Sequence, residues 1–358
     1  MSFWKDKKIL ITGHTGFKGS WLSLWLQSLG ARVIGYALEP PTQPNLFQLV
    51  HVQDGMISIH GDVRHYQSLH NAFVDHAPEI VFHMAAQPLV RASYRDPLET
   101  YNTNVMGTAN VLEAIRQIRC VKAAVIITTD KCYENKEWHW GYRENDRLGG
   151  FDPYSNSKAC AELITASYRH SFFNPDRYAE HGVAVASVRA GNVIGGGDWA
   201  EDRLIPDLIR GFILKQPTLI RYPDAVRPWQ HVLEPLFGYM ILAEKMFTEG
   251  PALADAWNFG PYADDEKSVG WIADKMAQLW DNGVGWTRDG QQHPHEAGYL
   301  KLDWSRARQL LHWRPVWRLE DALIKIIEWY QTYQKQPEQL RTLTLAQIHE
   351  YQQKVMNG

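Results

Sequence analysis

The sequence predicts an α/β fold: a doubly wound, mostly parallel sheet with a smaller mixed α/β region packed over its edge. Three observations carry this. Short apolar runs of strand length alternate with amphipathic helical stretches through the first half of the chain. A glycine-rich loop joins the first such run to the first such helix. After Ala190 the alternation loosens into turn-rich and helical segments. Strands that alternate with helices form βαβ units, whose crossovers make the strands parallel and cover both faces of the sheet.

The elements follow in order. Lys8–Thr12 has the length and content of a buried strand. Phe17–Leu29 places Trp21, Leu22, Trp25, Leu26 and Leu29 on one face of a helix. Arg32–Ala37, Met56–Ile59, Ile80–Met84 and Ala123–Thr128 read as strands, with helices near Tyr66–His76 and Tyr101–Ile118 between them. A helix beginning near Tyr154 precedes a strand at Val183–Val188. Beyond the turn at Gly195-Gly196-Gly197-Asp198, helices are expected near Ile205–Leu214, Leu233–Phe247, Val269–Trp280, Ser305–Leu311 and Leu319–Gln331. Many of the 15 tryptophans fall at helical apolar positions, where core packing explains them.

Composition narrows the function classes. A chain of 358 residues suits two domains or one large α/β unit. Its net charge of -3 gives no general attraction to nucleic acid or to an anionic membrane. Cys120, Cys132 and Cys160 lack paired spacing, which argues against a disulfide framework and against a zinc site, so no metal is expected. The opening MSFWKDKKILITG has no apolar signal-peptide core, and no run reaches the roughly 18 apolar residues of a membrane span. The expectation is a cytoplasmic protein.

In a doubly wound sheet, ligands bind beyond the carboxyl ends of the strands, and there the sequence concentrates its polar residues. Gly13, Gly16 and Gly19 follow the first strand as GxxGxxG. Such a loop turns a strand sharply into a helix and brings backbone against a pyrophosphate at the helix N-terminus. The plainer reading is a tight turn without a ligand; placement between first strand and first helix favours a dinucleotide. No acid stands at the tip of the second strand, and Glu39 comes late. Asp62, at the next strand's end, either reaches an adenine or caps the following helix.

The strand Ala124–Thr128 ends in Thr129-Asp130-Lys131, and Tyr154 and Lys158 share one helix face four residues apart. An ammonium beside a phenol lowers the phenol's pKa from about 10. The phenol can then take a hydroxyl proton while hydride leaves the same carbon. Thr129 offers a hydroxyl to that oxygen, and Lys158 can hold a cofactor ribose. Alone, a YxxxK is most often a solvated helix face; behind a glycine loop and a Thr-terminated strand it reads as an active site.

With these motifs in place, the chain resembles the extended short-chain dehydrogenase/reductases over essentially its whole length. The resemblance runs through Gly13/Gly16/Gly19, Asp62-Val63, His83-Met84-Ala85-Ala86-Gln87, Asn104-Val105-Met106-Gly107-Thr108, Thr129, Tyr154/Lys158 and Arg189-Ala190-Gly191-Asn192-Val193. Within that group, Thr129–Asn135 and Gly149–Ser155 are similar to the CDP-glucose 4,6-dehydratases. The resemblance implies a Rossmann-type domain that binds NAD, formed by residues 1–189 with returning segments at roughly 222–260. It implies a substrate-binding region at 190–221 and 261–358, and a homodimer.

It further implies a cycle in which C4 of CDP-glucose is oxidised, water is lost across C5 and C6, and hydride returns to C6. Asp130 would protonate the departing 6-hydroxyl and Lys131 would take the C5 proton, where the related dTDP-glucose enzymes carry Glu. The bland alternative is a structural Asp130–Lys131 ion pair. NAD would be held by Gly13, His14, Gly16, Phe17, Gly19, Asp62, Val63, Ala85, Ala86, Gln87, Asn104, Tyr154 and Lys158. The nucleotide sugar would be held by Arg91, Ser93, Asn192, Arg203, Arg227 and His293. His14 and Tyr36 depart from the usual small or acidic types. The product would serve deoxysugar biosynthesis, as in lipopolysaccharide O-antigen. Competing readings are a nucleotide-sugar 4-epimerase, which needs no Asp–Lys pair, and a non-catalytic NAD-binding protein.

Overall fold

Seven strands form one parallel sheet in the computed structural model, which describes residues 2–291 and 298–357. Six come from the first 190 residues: β1 (Lys8–Thr12), β2 (Arg32–Ala37), β3 (Ile57–His60), β4 (Ile80–His83), β5 (Ala123–Ile127) and β6 (Ala184–Ala190). Between and after them lie α1 (Phe17–Ser28), α2 (Tyr66–His76), α3 (Gly107–Gln117) and α4 (Pro153–Ser171). Three further strands, β7 (Asn192–Ile194), β8 (Thr218–Ile220) and β9 (Val226–His231), and helices α5 (Leu204–Leu214) and α6 (Leu233–Glu249) follow. The chain then returns to the sheet with β10 (Ala256–Phe259), which pairs with β6. The spatial order is β3-β2-β1-β4-β5-β6-β10. The direction of winding reverses between β1 and β4, which opens a crevice at their carboxyl ends.

The central strands β1, β4 and β5 are mostly apolar runs because both faces of the sheet are covered there. Ile9 and Ile11 of β1 join one core cluster and Leu10 joins the other. Val125 and Ala124 of β5 divide in the same way. Trp4, Trp21, Trp25, Trp257, Trp313 and Trp329 are fully buried, so these tryptophans do serve packing.

The rest of the chain forms two small sheets. One is β7 and β9 with β11 (Glu266–Ser268), and the other is β8 with β12 (Trp286–Arg288). Helices α7 (Val269–Trp280), α8 (Leu319–Lys335) and α9 (Leu340–Asn357) complete it. Four of these strands are only three residues long, too short to leave a periodic pattern in the sequence. Helix α9 was not expected. Its buried face carries Thr344, Gln347 and Gln352 beside Leu340, Ile348 and Tyr351, which blurs its apolar stripe. It lies against α1, where Tyr351 meets Trp25 edge-on at 5.7 Å.

The helix expected at Tyr101–Ile118 is interrupted. Pro97–Tyr101 is α-helical, Asn102–Met106 is wound as a π-helix, and α3 resumes at Gly107. The extra residue in the turn brings Asn104 inward. Its amide donates to Ser157 Oγ at 2.9 Å and to the Gln87 carbonyl at 3.0 Å, and its oxygen accepts from the Gln87 N–H.

Candidate active site

A cleft of about 1650 Å³ opens along the crevice between β1 and β4. The glycine loop forms its floor. Gly13 has φ +76°, and a Cβ there would stand 2.7 Å from the Ala85 nitrogen. A Cβ on Gly19 would stand 2.2 Å from the Gly13 carbonyl oxygen. These contacts let the start of α1 approach β4 closely. Ser20 is the first amide to bond back, to Gly16, so the amides of the first turn are available at the cleft as an anion cradle. Thr12 ties the two strand ends together: its hydroxyl is 2.7 Å from His83 Nδ1 and accepts from the Met84 N–H at 3.1 Å.

The proton-handling groups gather at the end of β5 and the start of α4. Asp152 caps α4 by accepting from the Ser155 N–H, and Pro153 fits its first turn. Tyr154, on that first turn, is buried, and its hydroxyl is hydrogen-bonded to Thr129. Burial pushes the phenol up to about 12, and the Thr129 hydrogen bond works against the shift. Lys158 lies one turn on, but its Nζ donates to the Ile127 carbonyl at 3.0 Å. Burial lowers its pKa to about 8. The expected ammonium-driven lowering of the Tyr154 pKa is therefore corrected: burial dominates and raises it, and the Lys158 ammonium is turned to the Ile127 carbonyl.

Asp130 is 2% exposed, and burial raises its pKa; the charge of Lys131 and the Thr129 hydroxyl at 3.0 Å act against the shift. Its Oδ2 has no hydrogen-bond partner among the described residues. A carboxyl held toward its protonated form, on a residue that lines the cleft, is suited to donate a proton. Lys131 lines the same wall.

Behind the wall is a buried network that sequence reasoning missed. Glu162, one turn beyond Lys158, accepts from Ser187 Oγ at 2.6 Å and from Arg189 Nη2 at 2.9 Å, and also from the Thr128 hydroxyl. It locks α4 to β5 and β6 and so sets the distance from Tyr154 to Thr129. The signal in the sequence was an acid on the apolar face of α4, four residues after Lys158.

Most expected site residues reach the cleft. Gly13, Gly16, Phe17, Gly19, Asp62, Val63, Ala85, Ala86 and Gln87 line one end; Thr129, Asp130, Lys131, Tyr154 and Lys158 line the middle. Arg91, Asn192, Arg203 and Arg227 line the cleft as well. There Arg91 and Arg221 both engage Asp202, at 2.7 and 3.2 Å, and Arg203 engages Asp198 at 2.8 Å. Asp62 is not a free carboxylate. Although burial opposes it, hydrogen bonds from the Arg64 backbone and guanidinium hold its pKa below the ordinary value.

Three expected residues do not line the cleft. The His14 imidazole is fully buried against Gly35, with Nε2 2.8 Å from Ser58 Oγ. Gly35 has no side chain there, and the ring takes that space. Burial brings its pKa down to about 4, so the ring is neutral. Ser93 is buried and donates to the Val90 carbonyl at 2.6 Å, closing its own helical turn. Asn104 is consumed by Gln87 and Ser157, so it supports the cleft wall from behind. His293 lies outside the described residues.

The comparisons with known proteins agree with this architecture. Residues 10–239 match the model of the family described as GDP-mannose 4,6 dehydratase. The chain is 57% identical over 332 residues to the CDP-glucose 4,6-dehydratase of Salmonella typhimurium, covering 93% of this chain and 92% of that one. It is 24% identical to the dTDP-glucose 4,6-dehydratase of Xanthomonas campestris, covering 91% and 93%. Among solved structures, UDP-glucose 4-epimerase of Thermotoga maritima superposes with a TM-score of 0.78 at 20% identity, covering 91% and 99%. The dTDP-glucose 4,6-dehydratase of Bacillus anthracis superposes at 0.74 and 21%, covering 94% and 99%. The glycine loop, the strand order and the match across residues 10–239 agree, and the chain belongs to the GDP-mannose 4,6 dehydratase family.

Proposed function

We propose that this protein converts CDP-D-glucose to CDP-4-dehydro-6-deoxy-D-glucose, using a bound NAD that is restored within each turnover. The observation that carries the reading is the meeting of Thr129, Asp130, Lys131 and Tyr154 on one wall of the cleft. The 57% identity to a CDP-glucose 4,6-dehydratase supports the choice of nucleotide.

The residues fit the dinucleotide. All the residues that would hold it line the cleft: the loop and first turn after Gly16 would take its pyrophosphate on their amides, Asp62 and Val63 its adenosine, and Lys158 a ribose hydroxyl. When bound, NAD supplies the acceptor for the C4 hydride and the donor for C6.

The chain's own groups do the rest. Tyr154, steadied by Thr129, takes the 4-hydroxyl proton. The resulting ketone acidifies C5; Lys131 takes that proton, and C5 is reprotonated when hydride reaches C6. Asp130 gives a proton to the 6-hydroxyl, which leaves as water. A 4-epimerase needs Tyr154 and Thr129 but no acid at the 6-hydroxyl; the raised pKa and unengaged oxygen of Asp130 favour dehydration. Arg203 and Arg227, which line the cleft, would hold the sugar diphosphate, as guanidinium geometry suits.

The protein acts in the cytoplasm as a homodimer on this reading. Leu98, Met106 and Leu163 stand exposed on the helical segments 97–117 and 153–171 and support an apolar subunit contact. No helix of the described residues is long and apolar enough to cross a membrane.

The test is incubation with NAD and a panel of CDP-, dTDP-, UDP- and GDP-hexoses. A 4-keto-6-deoxy product from CDP-glucose, with solvent deuterium at C5, is expected. Epimerised sugar without water loss would refute the reading. Lys131→Ala is expected to oxidise C4 but not to dehydrate; normal dehydration by that variant would remove Lys131 from the mechanism.

A further inference from the structure

Lys18 stands inside the glycine loop, in the first turn of α1, and neither the anion cradle nor the proton path above uses it. Its side chain lines the cleft. Its Nζ donates to the Tyr239 hydroxyl of α6 at 3.0 Å and lies 5.0 Å from the centre of that ring. Tyr239 is itself fully buried. The hydrogen-bond partner of this amine is thus a neutral phenol rather than a carboxylate.

The charged groups that act on Lys18 come from three directions. Lys158 on α4 and Arg203 ahead of α5 are cationic, and Asp130 after β5 is the one anion. Asp130 is itself held toward its neutral form. Lys18 therefore stands where the glycine-loop end of the cleft meets the proton-transfer end, with no full counter-charge among the described residues. Burial, then Lys158 and Arg203, lower its pKa to about 7.

We propose that the Lys18 ammonium makes the cleft discriminate between the redox forms of the nicotinamide, favouring the neutral reduced ring over the cationic oxidised one. The inference rests on the cofactor assigned under the proposed function. The oxidised ring carries a positive charge and the reduced ring carries none. While it is protonated, an ammonium in a desolvated cleft opposes the first and is indifferent to the second. Such a bias helps hydride leave C4 and keeps it on the cofactor while water is lost. It also weakens the hold on the oxidised dinucleotide before the sugar arrives.

The test is equilibrium binding, independent of turnover. Affinities for NAD and NADH are measured by calorimetry on the full-length protein, Lys18→Met and Tyr239→Phe at about pH 6, where an amine of pKa about 7 is mostly charged. Methionine keeps the length of the stem and removes the charge. The preference for NADH is expected to fall roughly tenfold in Lys18→Met, the scale of one unit of charge–charge pKa coupling, through tighter NAD binding. Tyr239→Phe keeps the ammonium and is expected to retain the wild-type ratio.

An unchanged ratio in Lys18→Met would overturn the proposal. Equal weakening of both forms would also overturn it and would assign the amine to the pyrophosphate. Should the methionine variant not fold, the wild-type ratio followed from about pH 6 to about pH 8.5 decides. It falls as the amine loses its proton, or it stays flat and the proposal fails. A wild-type protein that binds neither form would instead overturn the cofactor reading itself.

Discussion

Lys158 donates to the carbonyl oxygen of Ile127 at 3.0 Å, while Tyr154, one helical turn away on the same face of α4, is hydrogen-bonded to Thr129. The two residues of the YxxxK motif thus look to different partners. The lysine anchors the helix to the end of β5. The phenol is left with a pKa of about 12, set by burial and moderated by Thr129.

The ionised phenol is the base, so kcat/KM for C4 oxidation is expected to rise with pH. The Thr129 hydrogen bond lowers the Tyr154 pKa, and removing it raises that pKa. Thr129→Val is therefore expected to move the rising limb to higher pH, as read from a pH–rate profile. Tyr154→Phe is expected to cost roughly 10²–10⁴-fold. A limb that does not move in Thr129→Val would detach Thr129 from the proton path.

Asp130 offers a proton that asparagine cannot. Asp130→Asn is expected to lower dehydration by roughly 10²-fold or more while C4 oxidation continues. Absorbance of reduced nicotinamide should then accumulate on mixing with substrate. Absence of any such build-up, with dehydration intact, would place the acid elsewhere.

Gly13 tests the cradle. Alanine there is strained at φ +76° and would meet the Ala85 backbone at 2.7 Å. A loss of roughly 1–3 kcal/mol in stability is expected, with weaker dinucleotide binding. Gly182 has φ +68° with nothing within 4 Å of an added Cβ. Gly182→Ala is the control: roughly 1–2 kcal/mol lost and cofactor affinity unchanged. Thermal melts and calorimetry on the pair separate loop strain from general damage.

Acid should unfold the protein through its buried histidines. Burial lowers His83 and His231 to about 3 and His14 to about 4, below the ordinary 6.5. The folded state refuses protons that the unfolded chain accepts, so this stability is complete above pH 6.5 and is lost as pH falls toward 3. Glu234 acts with the opposite sign. Burial raises it from 4.5 to about 7, so its contribution is full below 4.5 and is lost as pH rises through 7. Between those values three histidines oppose one carboxyl, a net of two protons taken up on unfolding. At about 1.4 kcal/mol per proton and pH unit, these groups remove up to roughly 3 kcal/mol per unit. Urea titrations at about pH 6.5 and pH 5 should show the midpoint fall. A constant midpoint would contradict this balance.

The parts of the site that were legible in the sequence are those whose chemistry depends on short spacing. Gly13, Gly16 and Gly19 act through one loop, and Tyr154 and Lys158 through one helical turn. What escaped were pairs from distant segments. Lys18 reaches Tyr239 across 221 positions, and Glu162 reaches Arg189 across 27. His14 looked like a cofactor ligand by its place in the loop, yet Gly35 and Ser58 receive its ring from across β2 and β3.

Local pattern determined the parallel sheet, the glycine loop and the chemistry at the end of β5, because strand burial, turn geometry and helix periodicity are settled over a few residues. The tertiary structure decided which charges are compensated. Whether Asp130 keeps its proton, whether Lys158 serves the phenol or the strand, and where the Lys18 amine ends depend on desolvation and on partners brought together only by folding. Those energies are set by distance and dielectric in space, which spacing along the chain does not encode.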